Sequence, residues 1–425
     1  MKVAFHFENS AIPDADLREP ELGNPGIGGT EFLFAALPHY LAKLQHERVE
    51  PRIYAHTTGK LPESVETRPA ASLKEAVEEA SRDGADFIVF DPKREGQVLE
   101  AIPALEEEEL RGIAWANNVP SVKCLRQMSR SKYVSRFVAA GREMLDRLID
   151  HSIYEKSTYI FNGFDTSGYE PEKVFRDGEK VVFLGSITTS KGFHILAKKW
   201  KKIKNKVPSA ELIVIGAGNL YESGVEMGRW GIAEEEYEKI IREHLQGEDG
   251  DPVDSVTFKG LMGTGKNELL RSAAVGIVNP SGKSENCPAS AIEFQACGTP
   301  VVSRDYRGLL DTVKDGETGL LGRVSDLVDN TVHLLKNEDK SLKMGERGVE
   351  FVKEKFSYKK VCERWLYMLN NVGEGKNPSH DYKLKNLSKD LKLLREMNRN
   401  IKKIPILKNL PSVYETTRFA KRLYK

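Results

Sequence analysis

Short runs of consecutive apolar residues alternate along the chain with longer stretches in which apolar positions recur every three or four residues. The runs KVAFHF (2–7), PRIYA (51–55), DFIVF (86–90), GIAWA (112–116), FVAA (137–140) and STYIF (157–161) form one series. KVVFLG (180–185), ELIVIG (211–216), SVTFKG (255–260), AVGIV (274–278), PVVS (300–303) and GLLG (319–322) form a second. Apolar strands that alternate with helical patterns predict parallel sheets. The pattern therefore predicts an α/β chain of two doubly wound, Rossmann-like domains facing a cleft, joined near residues 162–173. The strongest helical pattern is GFHILAKKWKKIKNK (192–206), with Phe193, Leu196, Trp200 and Ile203 on one face and six lysines elsewhere, a solvated surface. Residues 217–254 exceed the usual strand-to-strand connection and read as an insertion with a surface helix, AEEEYEKIIREHLQG.

The length of 425 residues fits this division, because single cores stop growing at roughly 250–300 residues. With 40% hydrophobic and 30% charged residues the composition is globular, which excludes a disordered chain. The net charge of +1 conceals an asymmetry. Residues 376–425 hold 14 Lys plus Arg against 4 Asp plus Glu, so this tail carries +10 and the rest −9. Cys124, Cys287, Cys297 and Cys362 have no CxxC spacing and no histidine grouping, which argues for a reducing compartment and against disulfide or zinc frameworks. MKVAFHFENS introduces charge too early for a signal peptide, and no apolar run approaches the ~18 residues of a membrane span. The expected location is the cytoplasm.

In open α/β sheets, ligands bind beyond the carboxyl ends of the strands, where loops lead into helix N-termini. Three such loops stand out. The first runs from Glu8 to Gly29 and ends in PGIGGTE; Gly28 and Gly29 let backbone N–H groups approach an anion, with Thr30 as the expected N-cap. Plain turn chemistry accounts for Gly-Gly equally well. The second, GSITTSKG (185–192), sets Gly185 at a strand end and Lys191 at a helix start, a fixed cation where a phosphate would lie. The GxxxxGK[ST] order of a P-loop is absent.

The third loop lies in SGKSENCPASAIEFQACGTPVVS (281–303). Pro288 suits the first helical turn, Gly298 the residue after the helix, and Thr299-Pro300 the entry to the next strand. Glu285 then falls in the loop and Glu293 on the helix, about 7.5 Å along the axis from Pro288. That is close to the span from a diphosphate to its ribose. A diphosphate at the N–H groups after Pro288 leaves Glu293 able to accept from both ribose hydroxyls, with Glu285 toward whatever hangs from the other phosphate. Cys287, Ala289, Ser290 and Ala291 are small enough for close approach of ligand to backbone.

With these residues in view, residues 1–372 resemble the retaining glycosyltransferases of family four, which have the GT-B fold. The resemblance rests on Glu285-x7-Glu293 in its context, RGLLDTVKDGETGLL after it, GSITTSKG, FNGFD (161–165), GIGGTE and the closing FSYKKVCERWLYML (356–369). It divides the chain into an acceptor-side domain (1–165), a nucleotide-sugar domain (174–355), a helix crossing back (356–372) and a basic helical tail (376–425). It implies transfer of a hexosyl or related sugar from a nucleotide-diphosphate sugar, most commonly a UDP-sugar, to an acceptor hydroxyl with retention of configuration. The implied donor site comprises Gly28, Gly29, Thr30, Gly185, Ser186, Lys191, Asn286, Cys287, Pro288, Ala289, Ser290 and Glu293. Lys191 and the glycines would contact the diphosphate, Glu293 the ribose and Glu285 the sugar hydroxyls, with Glu285 and Lys191 the catalytic pair. Glu8, Asn117 and Asn118 would lie on the acceptor side. No cofactor, obligatory metal or enzyme nucleophile is implied; the leaving phosphate takes the acceptor proton, and its electrostatic stabilisation is the main catalytic effect. Relatives of this kind build capsule, O-antigen and lipopolysaccharide, which implies a saccharide acceptor, lipid-linked in such pathways.

Two positions depart from the family pattern. Ser186 stands where an arginine is usual, leaving Lys283 or Arg307 to supply the second cation, and Asn117 stands where a histidine is frequent. Rival readings are a catalytically silent GT-B scaffold that binds a partner, a non-hydrolysing sugar-nucleotide epimerase, and a glycoside hydrolase using the paired carboxylates. The last leaves three phosphate-suited loops unexplained. Asp14/Asp16 and Asp249/Asp251 have DxD spacing but do not directly follow strands, and read as solvated loops.

Beyond the linker GEGKNPSH, residues 384–404 space Leu384, Leu387, Leu391, Leu394, Ile401 and Ile404 by three or four, with basic residues between. A helix docked on the body or on a second copy is one reading. The other is a basic amphipathic helix on an anionic membrane, at the inner face, where each Lys or Arg contributes on the order of 1 kcal/mol. No nucleic-acid-binding module is recognisable.

Overall fold

Seven parallel strands form the first sheet: β1 (Lys2–Phe7), β2 (Glu50–Ala55), β3 (Glu66–Pro69), β4 (Phe87–Phe90), β5 (Arg111–Ala116), β6 (Val134–Ala139) and β7 (Ser157–Tyr159). Their order is β3-β2-β1-β4-β5-β6-β7. Six form the second: β8 (Asp177–Leu184), β9 (Glu211–Ile215), β10 (Val256–Gly260), β11 (Ala273–Ile277), β12 (Val301–Arg304) and β13 (Gly319–Gly322), ordered β10-β9-β8-β11-β12-β13. The computed structural model describes residues 1–169, 177–218, 226–263, 265–380 and 383–423. The end of the expected join (170–173), the start of the expected donor domain at 174, part of the insertion (219–225), and residues 381–382 and 424–425 of the tail lie outside the described residues.

The chain divides into two compact units. One comprises Met1–Pro20, Gly29–Gly163 and Tyr358–Lys425, the other Glu21–Gly28 and Phe164–Ser357. In the first, β1 and β4 are buried almost throughout, as fully covered parallel strands require. β3 has no counterpart among the apolar runs. Its sequence, ETRP, is polar because it is an edge strand, held to β2 through Arg52, which lies 2.8 Å from Glu50 and 3.1 Å from Glu66. The helix Tyr358–Gly373 completes this unit. Tyr358 stacks on Tyr40 with centroids 3.7 Å apart, and Trp365 meets Trp115 edge-on at 5.2 Å. Gly163 makes room for it, since a Cβ there would lie 2.2 Å from the Tyr358 ring.

In the second unit the helix Phe193–Lys206 buries Phe193, Leu196, Trp200 and Ile203, as the spacing predicts. The helix Glu235–Leu245 is more than a surface element. Tyr237, Ile241 and Leu245 join the same core, and the Tyr237 hydroxyl accepts from the His194 backbone N–H at 3.1 Å. Its apolar residues recur four apart beneath an acidic face, and the acidic face dominates the local composition.

The tail is not one continuous helix. Asn386, Asp390 and Leu391 adopt positive φ, and among the described residues of the tail α-helix is confined to Lys392–Ile401 and Val413–Leu423, with one 3-10 turn at Pro405–Leu407 between them. Asn and Asp hydrogen-bond locally and tolerate the left-handed region, so they break the periodic stretch. Among the described residues no helix is long and apolar enough to cross a membrane.

Candidate functional site

Strand order points to the site. In the second sheet the order reverses between β8 and β11, which pair in parallel with Val275 opposite Val181 and Ile277 opposite Phe183. A crevice opens beyond such a switch point, where loops from the two strands part to opposite faces. β8 runs into residues 185–192 and β11 into residues 278–288, so the two strands at the switch point supply Lys191 and Glu285.

The loops are joined side chain to side chain. Lys191 Nζ donates to Glu285 Oε1 at 2.6 Å, and Asn279 Nδ2 donates to the same oxygen at 2.7 Å. Lys191 is therefore not one more solvated lysine of its helix. Ser281 Oγ reaches the carbonyl of Ser190 at 2.5 Å, and Gly192 is in the left-handed region with a hypothetical Cβ only 2.7 Å from Ser281. Glu285 is 5% exposed. A carboxylate this buried needs its partners, and Asn279 and Lys191 provide them. Asn279 was not singled out by the sequence, yet it organises the loop. Its Oδ1 accepts from Ser281 Oγ at 2.7 Å and from Gly282 N at 3.1 Å, while Nδ2 also reaches the Lys283 carbonyl at 2.7 Å. Its signal was an asparagine directly after the apolar run 274–278, a residue type that tolerates the positive φ of 35° it adopts.

The helix after this loop is Ala289–Ala296, with Pro288 at the N-cap position and not inside the first turn, and Gly298 at φ +75° beyond its end. Its first N–H groups, those of Ala289 and Ser290, precede the first intrahelical donors and form the positive pole, while the Ala291 N–H donates to the Pro288 carbonyl at 3.2 Å. Glu293, on this helix, lies 3.4 Å from Lys266 and is hydrogen-bonded to Tyr169. Burial pushes the Glu293 carboxyl above its usual range, against the opposing influence of Lys266 and Tyr169. Sequence reasoning missed Lys266 and Tyr169, which come from distant segments with no motif of their own.

Other expected residues are placed as follows. Ser186 is 5% exposed, just after β8, and Asn286 is 8% exposed beside Glu285, while Cys287 is half-buried. Lys283 is exposed, and the Arg307 guanidinium lies over the Tyr306 ring at 5.0 Å. Gly28 precedes the helix Gly29–Gln45, so Thr30 is a first-turn residue and not the N-cap. Asn24 shapes this approach, its Oδ1 accepting from the N–H groups of Gly26 and Ile27, both at 2.9 Å.

Gly308 sets a limit on the loop. Its N–H donates to the Glu285 carbonyl at 3.2 Å, and a Cβ there would lie 2.2 Å from the Asn286 carbonyl oxygen. The φ of −57° is ordinary, so space alone requires glycine. Gly308→Ala is expected to destabilise the second unit by about 1–3 kcal/mol, read by denaturant unfolding, because it must push residues 285–287 out of place.

In the first unit, the switch point lies between β1 and β4, and Glu8 follows β1. Glu8 accepts from Gln97 at 2.7 Å and lies 3.3 Å from Arg94. Burial acts to raise its carboxyl, but hydrogen bonds from Ser10 and Gln97 together with Arg94 hold it at about 2. Burial lowers His6 to about 4 and raises Asp91, directly after β4, to about 7. Asp91, Arg94 and Gln97 went unremarked in the sequence, although they follow the partner strand of β1. Asn117 accepts from Asn162 at 2.8 Å, and Asn118 is exposed. The carboxylates of the two DxD pairs lie elsewhere: Asp16 pairs with Arg18 at 2.5 Å and Asp251 with Arg229 at 3.9 Å.

Residues 178–337, which hold Lys191, Glu285 and Glu293, match the family model described as Glycosyl transferases group 1. Anabaena HepE, solved in complex with UDP and glucose, superposes with a TM-score of 0.62 at 15% identity, covering 87% of this chain and 100% of that one. The chain has the GT-B fold. Two curated proteins share this sequence pattern. Trehalose synthase from Pyrococcus horikoshii is 26% identical over 230 residues, 54% of this chain and 51% of that protein. The capsular polysaccharide biosynthesis glycosyltransferase CapM of Staphylococcus aureus is 25% identical over 260 residues, 56% of this chain and 63% of that one. The GT-B chain thus spans about half the length of the first of these relatives.

Proposed function

We propose that this protein is a retaining glycosyltransferase that moves a sugar from a nucleotide-diphosphate sugar, a UDP-sugar in the first instance, to a saccharide hydroxyl. The observation that carries this is the pairing of Lys191 with Glu285 at 2.6 Å across the two switch-point loops, followed by a helix bearing Glu293. The family match over residues 178–337 supports it. Donor binding exchanges partners: the Lys191 ammonium turns from Glu285 to the diphosphate, and Glu285, still held by Asn279, accepts from a sugar hydroxyl. Each charge is satisfied before and after, so the swap leaves neither buried alone. In the bond-breaking step, Lys191 and the N–H groups at the start of helix Ala289–Ala296 stabilise charge growing on the leaving phosphate. The mechanism calls on no metal. On the first unit, Glu8, Asn117 and Asn118 are the proposed acceptor contacts. The acceptor is a lipid-linked saccharide of a cell-surface polysaccharide pathway, and the +10 tail holds the enzyme at the inner face of a membrane.

A panel of nucleotide sugars tests this reading. Acceptor-dependent release of free nucleotide from one donor is the expected result, and no release from any donor favours the silent scaffold. Glu293→Ala is expected to weaken nucleotide binding by about tenfold through loss of the ribose contacts; unchanged affinity overturns the ribose assignment. The ionised carboxylate accepts both ribose protons, and its pKa is raised, so affinity should fall with decreasing pH before an ordinary glutamate protonates. That pH step should vanish in Glu293→Gln.

A further inference from the structure

The helix Lys392–Ile401 lies on the first unit the opposite way round from an ordinary surface helix. Its inward side is charged. Lys392 is fully buried, 2.6 Å from Glu143 and 2.9 Å from Asp146, and Arg395 donates to the Arg147 carbonyl at 2.8 Å with Asp150 at 3.8 Å. Lys402 follows the same pattern, donating to the Asp150 carbonyl at 2.6 Å. The outward side is apolar: Leu393, Leu394, Met397 and Ile401 are between 40% and 56% exposed. Successive helical residues turn by about 100°, so these four fall on one face and Lys392 and Arg395 on the other. The chain extends the apolar row through Ile404, 52% exposed, and Ile406, 90% exposed.

A contiguous apolar face of this kind on a soluble chain marks a partner surface. Its surroundings choose the partner. Lys385, Lys403 and Lys408 are exposed in the same segment, within a tail of net charge +10. A second copy of the face would bring these cations against their own kind. Anionic lipid headgroups satisfy the cations while the acyl boundary takes the apolar side chains.

We propose that Leu393, Leu394, Met397, Ile401, Ile404 and Ile406 insert into the interface of an anionic bilayer, and that Lys392 and Arg395 act as inward staples that hold this face outward. This rests on the peripheral-membrane reading given above and names the surface that carries it. The cations of the tail therefore divide into two groups, and only the exposed ones meet lipid.

The test is co-sedimentation of the full chain with phosphatidylcholine vesicles, with and without phosphatidylglycerol. The wild type is expected to sediment with the anionic vesicles only, and L393E/M397E/I401E to lose at least about tenfold in partitioning while keeping nucleotide binding. K403Q/K408Q is expected to lose several-fold and to show a shallower dependence on salt. If the wild type sediments with neither vesicle, the peripheral reading and this surface fall together. If the wild type and the triple variant sediment equally, the surface assignment alone is wrong. A wild-type dimer that the triple variant converts to monomer also overturns it, since a second copy would then cover the face.

Discussion

Lys191→Ala is expected to lower acceptor-dependent nucleotide release by about 10²- to 10³-fold, the cost of removing one preorganised charge from a developing oxyanion. Donor affinity should fall less, because a diphosphate keeps the N–H groups at the start of helix Ala289–Ala296. The substitution also leaves Glu285, 5% exposed, with Asn279 and without its ammonium, so the folded state should lose stability too. The two effects separate in a cycle with Glu285→Gln. The double variant removes both charges, so denaturant unfolding should show part of the stability restored. Turnover should not recover if, as proposed, Lys191 serves the diphosphate and Glu285 the sugar. Recovery of turnover in the double variant would reduce the pair to a structural ion pair.

Lys392→Ala should produce the largest loss of stability, about 3–5 kcal/mol in the transition that unfolds the first unit. Its ammonium is enclosed between Glu143 and Asp146, and without it two buried carboxylates face each other. Burial already raises Glu143, with Lys392 the main opposing influence. Adding Glu143→Gln and Asp146→Asn should recover much of the loss, since neutral amides need no counter-charge. Limited proteolysis supplies a second readout, as the single variant should release the tail to cleavage. A single variant as stable as the wild type would show that the tail is not stapled through this lysine.

The interior strands were legible because burial on both faces writes them as unbroken apolar runs. β3 was not, since an edge strand held by Arg52 and Glu66 carries no such signature. Glu285 and Glu293 could be assigned to loop and helix from Pro288 and Gly298, because those residues obey local backbone chemistry. The contacts that Lys266 and Tyr169 make with Glu293 depend on tertiary placement and leave no local trace. The tail teaches a sharper lesson. A spacing of three and four reveals that a helix has two faces, but not which face turns inward; Glu143, Asp146 and Asp150, far upstream, decide that.

The first unit is assembled from segments on either side of residues 164–357, with Tyr358 and Trp365 filling places beside Tyr40 and Trp115. A ribosome delivers Tyr358 and Trp365 only after the whole of 164–357. The segment 164–357, which holds Lys191, Glu285 and Glu293, can complete its own sheet while the first seven strands still wait for their closing helix. The helix Tyr358–Gly373 can therefore close over the first seven strands only after 164–357 has been made, and until then the apolar surface around Trp115 lacks its Trp365 cover.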